Sequence, residues 1–404
     1  MPQKWTWRCT RRTDKTETSQ ELVEQVLSIR GSASSQGAFF LGHLCSMPIP
    51  EHVLSPPEFL AQMRAGSVTL DVRSPGEFEA GHLPGAMSMP LFTNDERAEV
   101  GTLYKHEGKH AALERGLELV GPKMRRLVQH ARALFDAQPD RRPLLVHCWR
   151  GGMRSGSVDW LLRTAEIPSM ICEGGYKACR QAMREGLDRD RKYVVLGGMT
   201  GAAKTEVLRA LGRRGEAVVD LEALAKHFGS AFGNLDDHAQ PTTEQFSNDL
   251  AAALAAVDRE HGEGATVWLE NESRQIGRVH VPEGFHKRLR DAPVLELERT
   301  VDDRLDHLVA MYGEASTATL SDAFDKISDK LGGLNVKHAK EHLASGDLRE
   351  AARLALLYYD KTYQHGLDKR DWSKAVDGRG LSHDDVAARC ASALNEWNPW
   401  KTSS

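Results

Sequence analysis

No run of about 18 apolar residues occurs in the 404-residue chain, so no segment reads as a membrane-spanning helix. The N-terminus carries charge but lacks an apolar stretch with a small-residue cleavage site, so secretion is not expected. The six cysteines (Cys9, Cys45, Cys148, Cys172, Cys179 and Cys390) include no CxxC pair of the kind that binds metal. Their scatter in a chain this long implies reduced thiols in a cytoplasmic protein rather than a disulfide framework. An excess of one charge is missing too: 53 Lys and Arg face 57 Asp and Glu, a net charge of −4. That balance does not announce a nucleic-acid binder, although a basic face can sit within an acidic total. No internal repeat or long low-complexity tract is present.

What is there has an ordinary globular composition, 40% hydrophobic and 27% charged, and enough length for two or three cores. Residues 1–46 are polar and rich in small residues, and are expected to be a disordered extension, or to precede a true start at Met47. From Met47 the pattern becomes regular. "SPPEFLAQMRAG" predicts a helix with Ser55 as N-cap, prolines in its first turn and Gly66 as its stop. Strand-like segments then alternate with helical ones: "SVTLDVRS", "AMSMPL", "PLLVHC" and "SMICEG". A polar joint at 188–192 precedes "YVVLGG", a long helix near 244–260, "TVWLENES" and "PVLELE". Strands alternating with helices predict parallel α/β sheets. The expected division is a domain over 47–187, a second α/β domain over 188–300 and a helical region over 301–404.

Two loops carry chemistry. In "LLVHCWRGGMRSGS" a buried strand hands Cys148 to a turn made of Trp149, Arg150, Gly151, Gly152, Met153 and Arg154. Backbone amides where a helix starts after a strand converge on one anion, the glycines permit the turn, and the arginines add charge. The same field lowers a thiol pKa and favours thiolate. In "VVLGGMTGAAKTEVL", Gly198, Thr200, Gly201, Lys204 and Thr205 fit a P-loop, with amides around a diphosphate, Lys204 on its outer oxygens and Thr205 on a Mg²⁺ ion. Ala203 stands where that pattern has its second glycine, which argues against efficient nucleotide hydrolysis. Asp220 and Glu222 after one strand, and Glu270 to Arg274 after another, either hold a metal or cap helices. No set of metal ligands is assigned.

His147-Cys148-x5-Arg154 fits the signature of cysteine-dependent phosphatases. Together with Asp71, Arg73 and the run from Glu77 to Ala86, the segment resembles a rhodanese, and one phosphatase group shares that fold. The cradle is the longer kind, which holds a tetrahedral phosphate-sized group. Over about residues 55–400 the chain resembles the tRNA 2-selenouridine synthases. That resemblance rests on "NDERAEVGTLYK", "CWRGGMRS", "EGGYKACR", the P-loop, "DLEALAKHFGSAFG", "LENESRQIG" and "YYDKTY". It implies replacement of sulfur by selenium in wobble 2-thiouridine of tRNA, with selenophosphate as donor. It further implies an S-geranylated intermediate made from geranyl diphosphate. Under it Cys148 handles selenium, the cradle holds selenophosphate, and the P-loop holds the geranyl diphosphate without ATP hydrolysis. No tightly bound cofactor is expected, and Mg²⁺ is compatible.

Other readings are a plain sulfurtransferase, a phosphatase, a P-loop kinase with a rhodanese module, and a non-catalytic tRNA scaffold. Lys123, Arg125, Arg126, the joint at 188–192 and the lysines and arginines of the C-terminal helices are candidates for a tRNA-binding face, with solvated surface charge as the plainer role. Tyr358, Tyr359 and Tyr363 are either core residues or a stacking surface for a base or prenyl chain.

Overall fold

Two parallel five-stranded sheets organise the structure, a computed structural model that describes residues 52–227, 239–367 and 373–400. From His52 onward the chain is one compact unit. The expectation for residues 1–46 lies outside the described residues.

The first sheet is built from β1 (Val53–Leu54), β2 (Thr69–Asp71), β3 (Met87–Ser88), β4 (Leu144–His147) and β5 (Ser169–Cys172), in the order β1-β5-β4-β2-β3. Its helices are α1 (Pro56–Arg64), α2 (Pro75–Ala80), α3 (Asn94–His106), α4 (Lys109–Val120), α5 (Met124–Asp136), α6 (Met153–Thr164) and α7 (Gly175–Leu187). Ser55 caps α1 with Glu58 completing a capping box, and Ser74 with Glu77 does the same for α2, each with proline in the first turn. Leu144, Leu145 and Val146 are fully buried because β4 is central and covered on both faces. Leu144 and Val146 join one core with Leu70 and Phe135, while Leu145 joins the other with Phe59 and Tyr176.

The strands of the second sheet are β6 (Lys192–Gly198), β7 (Ala217–Val218), β8 (Thr266–Glu270), β11 (Val294–Glu298) and β12 (Ser373–Asp377), in the order β12-β11-β6-β8-β7. A hairpin pairs β9 (Gln275–Ile276) with β10 (Val279–His280). Around it lie α8 (Lys204–Arg213), α9 (Leu221–Ala225), α10 (Thr243–His261), α11 (Glu283–Asp291) and α17 (His383–Trp397). Between β11 and β12 come α12 (Val301–Tyr312), α13 (Thr317–Lys326), α14 (Ser328–Leu331), α15 (Gly333–Ala344) and α16 (Leu348–Leu367).

The segment from 301 onward is mostly helical, but it is not a separate region. Its β12 pairs in parallel with β11 from Val294↔Ser373 to Glu298↔Asp377, and Val386, Cys390 and Leu394 of α17 share the core of Val194, Leu208 and Trp268. The helices α12–α16 are therefore an insertion within the second domain. "SKAVD" does not read as a strand by itself, because its alternation is short and weakly apolar, so pairing with β11 decides it.

Candidate functional site

Cys148 follows β4 directly, and the turn after it ends where α6 begins at Met153. The thiol is 3% exposed, with Sγ 3.2 Å from the Ser155 hydroxyl, itself 3.2 Å from the Gly152 carbonyl. Burial alone would raise the Cys148 pKa. The Ser155 hydroxyl, the backbone amides of Ser155 and Arg150, and the Arg154 charge together outweigh it, so the pKa lies below the ordinary thiol value. Arg154 does not point at the sulfur alone: it donates to Glu77 at 2.7 Å. Arg150, Gly152 and Met153 are exposed around the cradle mouth, and Trp149 packs on Tyr176 with ring centroids 5.6 Å apart.

A second segment locks the turn from below. Gly151 (φ 63°) and Gly175 (φ 60°) meet back to back: a Cβ on Gly175 would lie 2.4 Å from both the Cys148 carbonyl oxygen and the Gly151 nitrogen. Tyr176 N–H then donates to the Cys148 carbonyl at 2.8 Å and Lys177 N–H to that of Trp149 at 3.1 Å. The "EGGYK" run is thus the underside of the cradle. Its role is not legible in the sequence, because its partners lie about 27 residues away in the chain.

Asp71 and Arg73 form a fully buried pair, with Nη2 2.6 Å from Oδ2. Arg73 also donates to the Gly81 carbonyl at 2.7 Å and lies 3.9 Å from the centre of the Tyr176 ring. These two residues brace the cradle and do not enter it. His147 is fully buried, and burial depresses its pKa to about 4, so it is neutral at pH 7 and supplies no proton beside Cys148. A phosphatase would need such an acid on its leaving group.

The second loop joins β6 to α8. Gly198 and Gly201 hold φ of 150° and 81°, and Ala203 takes φ 60°, a left-handed conformation that costs a residue with a Cβ about 1–2 kcal/mol. Lys204 Nζ donates to the Gly198 carbonyl at 3.0 Å, which lays its ammonium across the turn. Thr205 donates to Glu222 at 2.8 Å. Asp220 caps α9, accepting from Ala223 N–H at 2.7 Å, and Glu270 accepts from Leu221 N–H at 3.1 Å. Glu270 is completely buried with Oε1 unpartnered, and burial followed by the charges of Asp220 and Glu222 pushes its pKa well up. Burial and Glu222 likewise raise Glu272, to about 7.

Of the carboxylates at the two strand ends, Asp220 caps a helix, Glu222 and Glu272 lie beside Lys204, and Glu270 faces Asp220 and Glu222. Among the described residues no group of three or more His, Cys, Asp or Glu is arranged to hold a metal by itself.

Arg304, 2% exposed, was not foreseen. It donates through Nε to the Thr200 carbonyl at 2.7 Å and through Nη1 to Asp360 at 3.1 Å, tying α12 and α16 to the turn. Of the proposed tRNA-facing cations, Lys123 is paired with Glu96, Arg191 with Asp258 and Arg189 with Glu263, whereas Arg125 and Arg126 are exposed. Tyr358 and Tyr359 pack on the core of α13–α16, and the Tyr363 side chain lies outside the described residues.

The two loops belong to one body. Helix α10 docks on the first domain: Tyr176 donates to Glu244 at 2.6 Å, Asn248 donates to the Tyr176 hydroxyl and to the His82 carbonyl at 2.9 Å each, and His82 N–H donates to Gln245 at 2.8 Å. Among the described residues no helix is long and apolar enough to cross a membrane.

A family model described as the tRNA 2-selenouridine synthase AAA domain matches residues 191–393, and a rhodanese-like domain model matches residues 55–205. A tRNA 2-selenouridine synthase of Nitrosomonas europaea is 32% identical over 365 residues, covering 78% of this chain and 93% of that protein. The one from Hahella chejuensis is 34% identical, covering 78% and 89%. The one from Bdellovibrio bacteriovorus is 38% identical over 60% of this chain, which spans 64% of that relative's length. With a cysteine cradle and a P-loop turn on one body, and these matches across both, the chain belongs to the tRNA 2-selenouridine synthase family.

Proposed function

We propose that this chain replaces sulfur by selenium in wobble 2-thiouridine of tRNA, taking selenium from selenophosphate after making an S-geranylated intermediate from geranyl diphosphate. The supporting observation is that one body carries two separate glycine-bearing strand-to-helix turns of a kind suited to anions, only one of which holds a cysteine with a lowered pKa. A plain sulfurtransferase leaves the second turn without work, and His147, neutral beside Cys148, does not serve a phosphatase as its leaving-group acid.

In the first step the 2-thiouridine sulfur attacks C1 of the geranyl group. The C1–O bond breaks, pyrophosphate leaves with the electron pair, and a proton is lost from the base. Lys204 and the amides of the 198–205 turn neutralise charge growing on the leaving diphosphate. A Mg²⁺ ion would fit here: Thr205 and Glu222 offer hard oxygen donors beside crowded carboxylates, and it would add Lewis-acid stabilisation of the diphosphate. In the second step the cradle orients the selenophosphate oxyanions through its amides, and the Cys148 thiolate attacks phosphorus, so that the P–Se bond breaks and hydrogen selenide leaves with its electron pair. The selenide adds at C2 of the base, the C2–S bond breaks and geranyl thiolate departs to take a proton, a better exit than sulfide, while water hydrolyses the phosphocysteine to phosphate and the free thiol.

The test is one incubation with 2-thiouridine tRNA, geranyl diphosphate and selenophosphate, read by nucleoside mass spectrometry. Wild type should form 2-selenouridine. Cys148→Ser should accumulate S-geranyl-2-thiouridine without 2-selenouridine, and Lys204→Ala should give neither. Selenouridine at wild-type level from Cys148→Ser would remove the cysteine from the reaction, and loss of geranylation in that variant would merge the two sites into one.

A further inference from the structure

A cleft beside the phosphate-binding turn has no task in the chemistry above. Leu308 of α12, Leu320 and Phe324 of α13, and Leu356 and Tyr359 of α16 line it, together with Thr200 of the turn. Its surface is almost wholly apolar, although it lies against a loop built for anions. It contains about 430 Å³ of empty space, partly open to solvent, of which only about 30 Å³ lies more than a water radius from the walls. So apolar a slot offers a sugar or a base no hydrogen-bond partner and suits a hydrocarbon chain.

The slot is fixed to the turn. Arg304 holds the Thr200 carbonyl on one side and Asp360, next to Tyr359, on the other. Gly201 sits flush on α12, where a Cβ would come within 2.9 Å of the Arg304 carbonyl oxygen and 3.1 Å of Leu308 Cγ. The insertion α12–α16 thus places an apolar wall directly against the turn, and a ligand with a charged head and a greasy tail matches both surfaces.

We infer that this cleft receives the hydrocarbon tail of a linear allylic diphosphate whose head is held by the 198–205 turn. The inference rests on the diphosphate role proposed for that turn, and adds where the tail lies and which residues select its length.

Calorimetric titration of the full chain with pyrophosphate, dimethylallyl diphosphate and geranyl diphosphate, in buffer containing Mg²⁺, tests it. Each added five-carbon unit should lower Kd at least about tenfold, since it buries apolar surface. Ala352→Phe and Ala355→Leu both bring bulk into the slot and should abolish that gain while leaving pyrophosphate affinity unchanged. Melting temperatures identify a variant that fails to fold, in which case the other variant and the wild-type series decide. Equal Kd for all three ligands in wild type, or a full chain-length gain in a folded filled variant, overturns the cleft and leaves the turn's role standing. Absence of pyrophosphate binding, or binding that Lys204→Ala leaves unchanged, overturns the diphosphate reading and the cleft with it.

Discussion

Ala203 carries a strain that its neighbours do not. At φ 60° and ψ 39° it occupies a conformation in which glycine is at ease, and it is 5% exposed at the N-cap of α8. Ala203→Gly removes about 1–2 kcal/mol of backbone strain and adds about 0.4–1 kcal/mol of unfolded-state entropy. The expected net is a stabilisation of about 0.5–1 kcal/mol, visible as a raised Tm in a thermal melt; a lowered Tm would mean that the Cβ contributes packing that outweighs the strain. The departure from the glycine pattern was legible in the sequence. That the loop keeps its left-handed corner despite the alanine was not, because nothing local to the residue reveals it. Cys148 shows the same split: its place between a strand and a helix can be read from "LLVHCWRGGMRS", but Ser155 as the hydroxyl beside its sulfur cannot.

Among the elements, the crossing of Gly151 by Gly175 decides whether the cradle forms. Both neighbours of the missing Cβ are backbone atoms at 2.4 Å, so neither can step aside as a side chain would. Gly175→Ala should cost more than about 2 kcal/mol and lose the amide pointing at the Cys148 carbonyl. Mass spectrometry of its products should show 2-selenouridine falling by at least about tenfold while S-geranyl-2-thiouridine persists, since the 198–205 turn is built from other strands. Equal loss of both products would mean that the damage spreads through the whole molecule. The helix start at Ser55 was readable because its cap and first-turn prolines lie within a few residues of one another. By contrast, Arg304 reaches a carbonyl 104 residues away, and no local pattern marks such a partner.

For the molecule as a whole, α10 is the seam between the two chemistries. Asn248 is 1% exposed and serves the Tyr176 hydroxyl and the His82 carbonyl together. Asn248→Ala strands both, at a cost of about 1–3 kcal/mol. Because Tyr176 also holds the Cys148 carbonyl, a loosened seam should disturb hand-over between the sites more than either step alone. Single-turnover time courses should then show S-geranyl-2-thiouridine rising above its wild-type peak before 2-selenouridine appears. A wild-type time course would show that the seam is structural only.

The position of β12 sets an order on synthesis. The first sheet is complete once Cys172 has emerged, but the second waits for residues 373–377, after five helices have been made. Until then β11 presents an open edge, and the core of Val194, Trp268 and Leu295 lacks the cover of Val386, Cys390 and Leu394. A ribosome stalled near residue 370 would therefore carry one finished domain and one sticky one, a natural substrate for chaperones that bind nascent chains.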